Sequence, residues 1–168
     1  LKADNNGELK WTNGSIQTAG VSYTGKTPQA LHISEFGPIA AQSPRVAENI
    51  VRGSMNAVPI TGRIDVETTM EGGRMGECHA LYKLAKDAVG GDLTHLDWKL
   101  HFYPWYAKEA YVLPADGIHI SDKQAKYFRE LEARNGITLT AEQKAWWVKK
   151  KASLMSDMGR EYPGTPEE

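Results

Sequence analysis

The stretch Ala30-Leu31-His32-Ile33-Ser34-Glu35-Phe36-Gly37 sets our interpretation of the whole chain. Apolar Leu31 and Ile33 alternate with polar residues, and this period-two pattern predicts a short strand. Glu35 then lies where the strand ends. In open parallel α/β sheets, ligands and catalytic groups gather at that carboxyl edge. We therefore interpret Glu35 as a candidate catalytic carboxylate, with a solvated strand-end side chain as the simpler alternative.

Strands and helices alternate on both sides of this stretch. Residues 62–67 predict a second buried strand, and residues 98–103 predict a third. Residues 44–56 have apolar side chains at helical spacing. Residues 76–89 predict a further helix, with an apolar face of Ala80, Leu81, Leu84, Ala85 and Ala88. This order implies a parallel α/β sheet with crossover helices. Earlier in the chain, Asn13-Gly14 predicts a hairpin turn with positive φ at both residues.

Two helices are predicted in the last third of the chain, each by a capping box. Ser121-x-x-Gln124 opens the first, which should end at Asn135-Gly136, and Thr140-x-x-Gln143 opens the second. The second carries Trp146-Trp147 at a spacing typical of core packing, and we expect it to run to about Met158. The change of pattern divides the chain into a sheet domain and a helical extension.

We place the boundary after residue 113, so that residues 1–113 form the sheet domain and residues 114–168 form the helical extension.

The composition, 40% apolar and 24% charged, is that of a globular protein. A formal net charge of -1 gives no global basic surface, so any contact with nucleic acid must be local. The single cysteine, Cys78, excludes an internal disulfide and favours a reduced, packed thiol in the cytoplasm. No apolar run reaches the length of a membrane span, so we expect no membrane partner.

Residues Gly20 to Thr27 match the phosphate-loop pattern G-x-x-x-x-G-K-[ST]. That loop holds phosphates because a helix begins directly after it and presents its backbone N–H groups. Here Pro28 follows at once, and the strand at 30–34 leaves no room for such a helix. We therefore expect a coincidental match, although Lys26 could still approach a phosphate from the side.

The chemistry that suits the edge near Glu35 is nucleotide hydrolysis. A carboxylate at a strand end can orient the water that attacks a phosphate. Such sites usually place an aspartate before this carboxylate to hold Mg²⁺ through water. This chain has Ser34 there, whose hydroxyl can hydrogen-bond a metal-bound water but brings no charge, so we expect Ser34 only to assist in binding the cofactor Mg²⁺. Thr68 and Thr69 end the strand at 62–67 and should reach the same edge if the strands are parallel, where they could contact a terminal phosphate. The five histidines show no metal-ligand spacing.

Taken in order, several stretches resemble the large subunit of tailed-bacteriophage terminases, the ATP-driven motor that packages DNA into procapsids. Single pieces are weak signals, but the ordered set covers nearly the whole chain. The stretches are Lys26–Phe36, Asp65–Gly72, Phe102-Tyr103-Pro104-Trp105, Leu139-Thr140-x-x-Gln143-x-x-Trp146 and Glu161–Glu168.

The resemblance implies part of a phosphate-loop-type ATPase core, with ATP and Mg²⁺ as cofactors and Glu35 as the catalytic carboxylate. Thr68 and Thr69 would belong to the motif that couples hydrolysis to movement of double-stranded DNA. The family's phosphate loop would precede Leu1 and its nuclease domain would follow Glu168. We therefore expect this chain alone to be inactive. The implied partners are DNA, a homo-oligomeric ring on the portal of a procapsid and the small terminase subunit, in the host cytoplasm.

Two positions depart from the family pattern. Thr24 stands where an arginine often acts on a neighbouring subunit's nucleotide, and Lys26 is the nearest cation. Ser34 replaces the usual aspartate. These departures leave open a non-catalytic prophage remnant or DNA-binding adaptor. The match at Gly20–Thr27 leaves open a self-contained phosphate-loop enzyme. The run Lys149-Lys150-Lys151 is interpreted as a solvated face that could also contact DNA.

Overall fold

The computed structural model describes residues 3–5, 7–20, 27–71 and 75–168, and the chain divides into two compact units. The units are Leu1–Lys99 and Leu100–Glu168, and each has its own hydrophobic core. The division therefore falls before the boundary that the change of sequence pattern suggested at residue 113. The roles given to the two domains stay predictions.

The first unit is a mixed α/β structure with two small sheets. Its elements are β1 (Ala3–Asn5), β2 (Glu8–Lys10), β3 (Ile16–Thr18), β4 (Ala30–Ile33), α1 (Phe36–Gln42), α2 (Pro44–Asn49), a π-helical segment (Ile50–Met55), β5 (Arg63–Val66) and α3 (Gly76–Asp87). Strands β1, β2 and β3 form an antiparallel sheet, whereas β4 and β5 pair in parallel. The predicted parallel pairing of the strand before Glu35 is thereby confirmed.

The predicted third strand is wrong. Residues 98–103 lie in no strand, so the parallel sheet of the described residues has two strands. Trp98 nevertheless packs against the core of the first unit. The alternation at 98–103 therefore marks side chains that pack, without a neighbouring strand to pair the backbone.

The helix predicted over residues 44–56 is confirmed as α2 and the π-helical segment that continues it. Its core side includes Ala47, Ile50 and Met55, which are buried with Ile33 and Phe36 from the β4–α1 connection. The apolar spacing identified this side because it recurs at helical intervals. A further helix, α1, was not predicted.

The hairpin is confirmed, but its turn is not the predicted one. Gly14 N donates to Trp11 O at 3.1 Å and Trp11 N donates to Ser15 O at 2.9 Å, so the loop has three residues, 12–14. Of these described residues, Gly14 alone has a positive φ, at 88°. This combination is a turn followed by a left-handed glycine bulge. Asn13 instead accepts a hydrogen bond from Ser15 N through its side chain.

The inner face of α3 differs from the predicted one. Cys78 and Ala85 are buried and Leu81 packs against the core, whereas Leu84 is 59% exposed and Ala80 is exposed. The helix is thus rotated so that the thiol of Cys78 points inward. Free cysteine behaves as a small apolar side chain, which a count of aliphatic residues overlooks.

The second unit contains α4 (Asp122–Asn135), α5 (Ala141–Leu154) and α6 (Met158–Glu161), with 3₁₀ turns at Trp105–Ala107 and Met155–Asp157. Both predicted capping boxes are confirmed, with Ser121 and Thr140 each accepting from the backbone N–H of the glutamine three residues on. Gly136 ends α4 at φ 63°, as predicted. Helix α5 stops at Leu154 because Met155 takes a φ of 51°, so the predicted run to Met158 is interrupted.

Aromatic side chains form most of the second core. Trp105, Phe128 and Trp147 are buried, which confirms the predicted packing role of the tryptophan pair. Trp146 stacks on Tyr111 with ring centroids 4.4 Å apart. The final residues pack on α4: Arg134 Nη2 pairs with Glu167 Oε2 at 2.7 Å, Tyr127 OH donates to Glu168 Oε2 at 3.4 Å, and Thr165 is buried.

We expect Thr140→Ala to lower the free energy of unfolding of the second unit by about 1 kcal/mol, the usual cost of losing an N-cap side chain. Thermal denaturation followed by tryptophan fluorescence measures it, because the described core of this unit contains Trp105 and Trp147. The matched control is Thr138→Ala, which removes an exposed threonine from the preceding loop. Equal melting shifts in the two variants would contradict a capping role for Thr140.

Candidate functional site at the carboxyl edge of the parallel strands

Glu35 occupies a sharp connection between β4 and α1. Its backbone has φ 55° and ψ 44°, the left-handed region that side chains other than glycine rarely adopt. This conformation costs about 1 kcal/mol, and such residues cluster at functional sites. The helix begins with the next residue, Phe36, which is fully buried, while Glu35 itself is exposed. The connection thus anchors the chain on one side of Glu35 and presents its carboxylate to solvent.

The register of β4 and β5 sets which residues meet at this edge. Ile33 pairs with Val66 in the sheet, and Glu67 N donates to Ile33 O at 2.9 Å just beyond it. In a regular parallel ladder the N–H of residue 35 would donate to Glu67 O. Here Phe36 N makes this bond, at 3.3 Å. The left-handed turn therefore takes Glu35 out of the ladder and leaves the backbone on both sides paired.

The loop after β5 contacts the first turn of α1. Gly37 N donates to Thr68 Oγ1 at 2.6 Å, and Thr68 Oγ1 donates to Thr69 O at 2.6 Å. The structure therefore brings Thr68 and Thr69 next to the helix that begins after Glu35. A Cβ atom on Gly37 would lie 2.6 Å from Thr68 Oγ1 and still closer to Thr69 O. Only glycine allows this approach, a requirement that the sequence analysis did not assign to Gly37.

Ser34 meets a residue that the sequence analysis gave no role. Its Oγ donates to Glu67 Oε1 at 3.0 Å, and His32 Nε2 lies 3.5 Å from the same oxygen. The alternation of β4 continues to the next residue and puts His32 and Ser34 on one face, and Glu67, directly after β5, lies on the same face. The sequence pointed to Glu67 only in that it directly precedes Thr68. The strand register is needed to show that Glu67 faces Ser34.

Cys78 packs against residues 68–71 of the loop after β5, which we call the threonine loop. Burial raises the pKa of its thiol, and a hydrogen bond with Thr68 opposes that shift. Its Sγ is 3.9 Å from Met70 Sδ in the same loop. The loop thus contacts the core through Met70 and Cys78 and contacts the first turn of α1 through the hydroxyl of Thr68.

The residues proposed around the phosphate-loop match lie mostly outside the described part of the chain. This applies to Thr24 and Lys26, whose predicted roles stay predictions. Residues 27–29, which are described, form no helix, and β4 begins at Ala30. The alternative of a self-contained phosphate loop at Gly20–Thr27 therefore lacks the helix that it requires.

The described residues contain no group of three or more histidine, cysteine, aspartate or glutamate side chains placed to hold a metal ion. Among the described helices, none is long and apolar enough for a bilayer crossing. The lysine run of α5 is less solvated than expected. Lys149 is exposed, but Lys150 lies over the ring of Tyr162 and Lys151 Nζ donates to Met155 O.

Comparisons of the chain with protein-family models, with curated proteins and with solved structures find no match. The terminase resemblance therefore rests on the motifs quoted above. The geometry of this edge is independent of that resemblance, since it follows from the strand register and the hydrogen bonds.

We expect Gly37→Ala to destabilise the first unit by about 3 kcal/mol, at the upper end of the range for overpacking. The added methyl would overlap Thr69 O and Thr68 Oγ1, which belong to the adjoining loop and not to a flexible side-chain end. Urea denaturation followed by far-ultraviolet circular dichroism measures the change.

The matched control is Gly53→Ala in the π-helical segment, where an added Cβ meets no atom within 4 Å. It should leave stability unchanged or raise it by about 0.5 kcal/mol, because alanine is favoured over glycine in helices. A Gly37→Ala protein as stable as the control would disprove the close approach of α1 to the threonine loop.

Proposed function

We propose that this chain is part of the large subunit of a tailed-bacteriophage terminase, and that it contributes the water-orienting carboxylate of the ATPase. The observation that carries the proposal is the left-handed Glu35 at the end of a parallel strand, beside a helix start that is hydrogen-bonded to Thr68. A general base needs a fixed position near its substrate. The buried Phe36 and the bond from Gly37 to Thr68 supply this fixation.

Thr68 and Thr69 suit the coupling role in this proposal. The hydroxyl of Thr68 accepts a hydrogen bond from Gly37 N in the first turn of α1, so a displacement of the threonine loop would act directly on Gly37, two residues after Glu35. Bound ATP with Mg²⁺ supplies the phosphoryl group and neutralises its charge. The chain's own part is to hold Glu35 toward the attacking water and to accept its proton.

The wider assignment follows the resemblance alone. It includes double-stranded DNA as the translocated partner, a homo-oligomeric ring on the portal, the small terminase subunit and a cytoplasmic location. The non-catalytic adaptor is the competing proposal, and Ser34 and Thr24 are the features in its favour. The self-contained phosphate-loop enzyme is disfavoured by the coil at residues 27–29.

The proposal is tested in the complete gene product that contains this chain. We expect Glu35→Gln to lower DNA-stimulated ATP hydrolysis by about 100-fold or more, the usual contribution of a general base. ATP affinity, measured with a fluorescent analogue, should change little, because a base acts on the water and not on the nucleotide. The matched control is Glu48→Gln, which removes a surface carboxylate paired with Arg52 on α2 and the π-helical segment.

Undiminished hydrolysis in Glu35→Gln would overturn the proposal. DNA binding without ATP hydrolysis in the unsubstituted protein would favour the adaptor. Hydrolysis by the 168-residue chain alone that is lost in Glu35→Gln would contradict our expectation that this chain is inactive by itself.

A further inference from the structure

Ser34 occupies the position where an aspartate is usual in the proposed kind of site, and it is hydrogen-bonded to Glu67. Ser34 alone brings no charge to the edge. Its Oγ, however, donates to Glu67 Oε1 at 3.0 Å, so a full carboxylate lies one hydrogen bond from the position where an aspartate is usual. The serine hydrogen is directed at Glu67, and the lone pairs of the serine oxygen are left to accept.

The charge of Glu67 is accessible at the sheet edge. Its side chain is 62% exposed, and its ion-pair contact in the described residues is with His32, at 3.5 Å. The nearby Arg63 instead pairs with Asp65 at 2.7 Å. Arg63 and Asp65 thus form an ion pair with each other within β5.

The strand register separates Glu67 from Glu35. Continuing the pairing of Ile33 with Val66 sets Ser34 opposite Glu67, whereas Glu35 lies outside the ladder because Phe36 N bonds to Glu67 O in its place. The two carboxylates therefore start from different segments of the chain, Glu67 in register with Ser34 and Glu35 out of register. One is held by a left-handed turn and the other by a serine, an arrangement that allows two separate roles.

We propose that Glu67, positioned by Ser34, supplies the metal-facing carboxylate that position 34 itself lacks. This inference rests on the proposed function, which brings Mg²⁺ together with ATP. The donor set fits that ion, because carboxylate and hydroxyl oxygens are the hard ligands that Mg²⁺ prefers. Nucleotide sites hold Mg²⁺ with one or two carboxylates, phosphate oxygens and waters, so a cage of three acidic ligands is not required.

The test uses the complete gene product and removes the carboxylate at position 67, then restores a carboxylate at position 34. Glu67→Gln should weaken binding of Mn²⁺ in the presence of ADP by about tenfold, in the range for loss of a group that supports a metal site. Electron paramagnetic resonance of free Mn²⁺ measures this affinity without any turnover. The Mg²⁺ concentration for half-maximal ATP hydrolysis should rise by a similar factor.

The rescue variant is Ser34→Asp combined with Glu67→Gln, which restores one carboxylate at the edge. We expect it to return the Mn²⁺ affinity to within about threefold of the unsubstituted protein, since the charge is again present. The matched control is Asp65→Asn, which removes a carboxylate from the same strand but away from the edge. Its Mn²⁺ affinity should not change.

Each outcome separates this inference from the proposed function. Unchanged Mn²⁺ affinity in Glu67→Gln, together with loss of hydrolysis in Glu35→Gln, would overturn the role of Glu67 and leave the ATPase assignment intact. Loss of hydrolysis in Glu67→Gln at every Mg²⁺ concentration, with normal Mn²⁺ affinity and normal melting, would mean that Glu67 only supports the loop. Full hydrolysis in Glu35→Gln would overturn the proposed function itself.

Discussion

The close approach of Gly37 to the threonine loop is the constraint on which the candidate site depends. It holds the start of α1 against residues 68–71. The chain passes from β4 into α1 through Ser34 and Glu35, and the left-handed backbone of Glu35 makes the turn directly before the helix. The strain at Glu35 is offset by the buried Phe36 and by the backbone bonds on both sides of the turn.

The two faces of the parallel pair differ in a way that bears on function. Leu31, Ile33, Ile64 and Val66 face the core, whereas the other face carries polar side chains such as His32 and Asp65. Parallel sheets are usually covered on both faces and read as continuous apolar runs. Here the alternation is complete, so polar groups lead along one face to Ser34 and Glu67 at the edge. The pair of strands thus has one apolar face that packs on the core and one polar face that leads to the candidate site.

The features that could be predicted from the sequence are those with local causes. A capping box needs only residues three apart, so both helix starts of the second unit were found at Ser121 and Thr140. The strand before Glu35 and the glycine at the end of α4 are similar cases. Residues 98–103 show the limit, because an alternating pattern does not reveal whether a partner strand is present. The turn at Asn13-Gly14 shows it as well, since the loop length depends on how the two strands register.

Part of the candidate site could be predicted from the sequence, namely the residues that local patterns identify. Glu35 and Thr68 stand out because each follows a strand directly. Glu67 did not, since its importance comes from facing Ser34 across two strands that are far apart in sequence. Position 37 likewise requires glycine because of a contact with a loop more than thirty residues later, in which Gly37 N donates to Thr68 Oγ1. Long-range pairing decides both, and no local pattern encodes it.

A charge at a site is defined by where it lies in space and not by which strand supplies it. Coulomb interaction depends on distance and surroundings alone, so a carboxylate hydrogen-bonded to position 34 can serve where a carboxylate at position 34 would. The serine then has a positioning role, because its hydroxyl donates a hydrogen bond to the exposed side chain of Glu67 and orients it. In the proposed arrangement the serine and glutamate pair supplies the charge at the edge from Glu67, the residue directly after β5. Glu67 directly precedes Thr68, so the same segment that would face the metal also contacts the helix after Glu35.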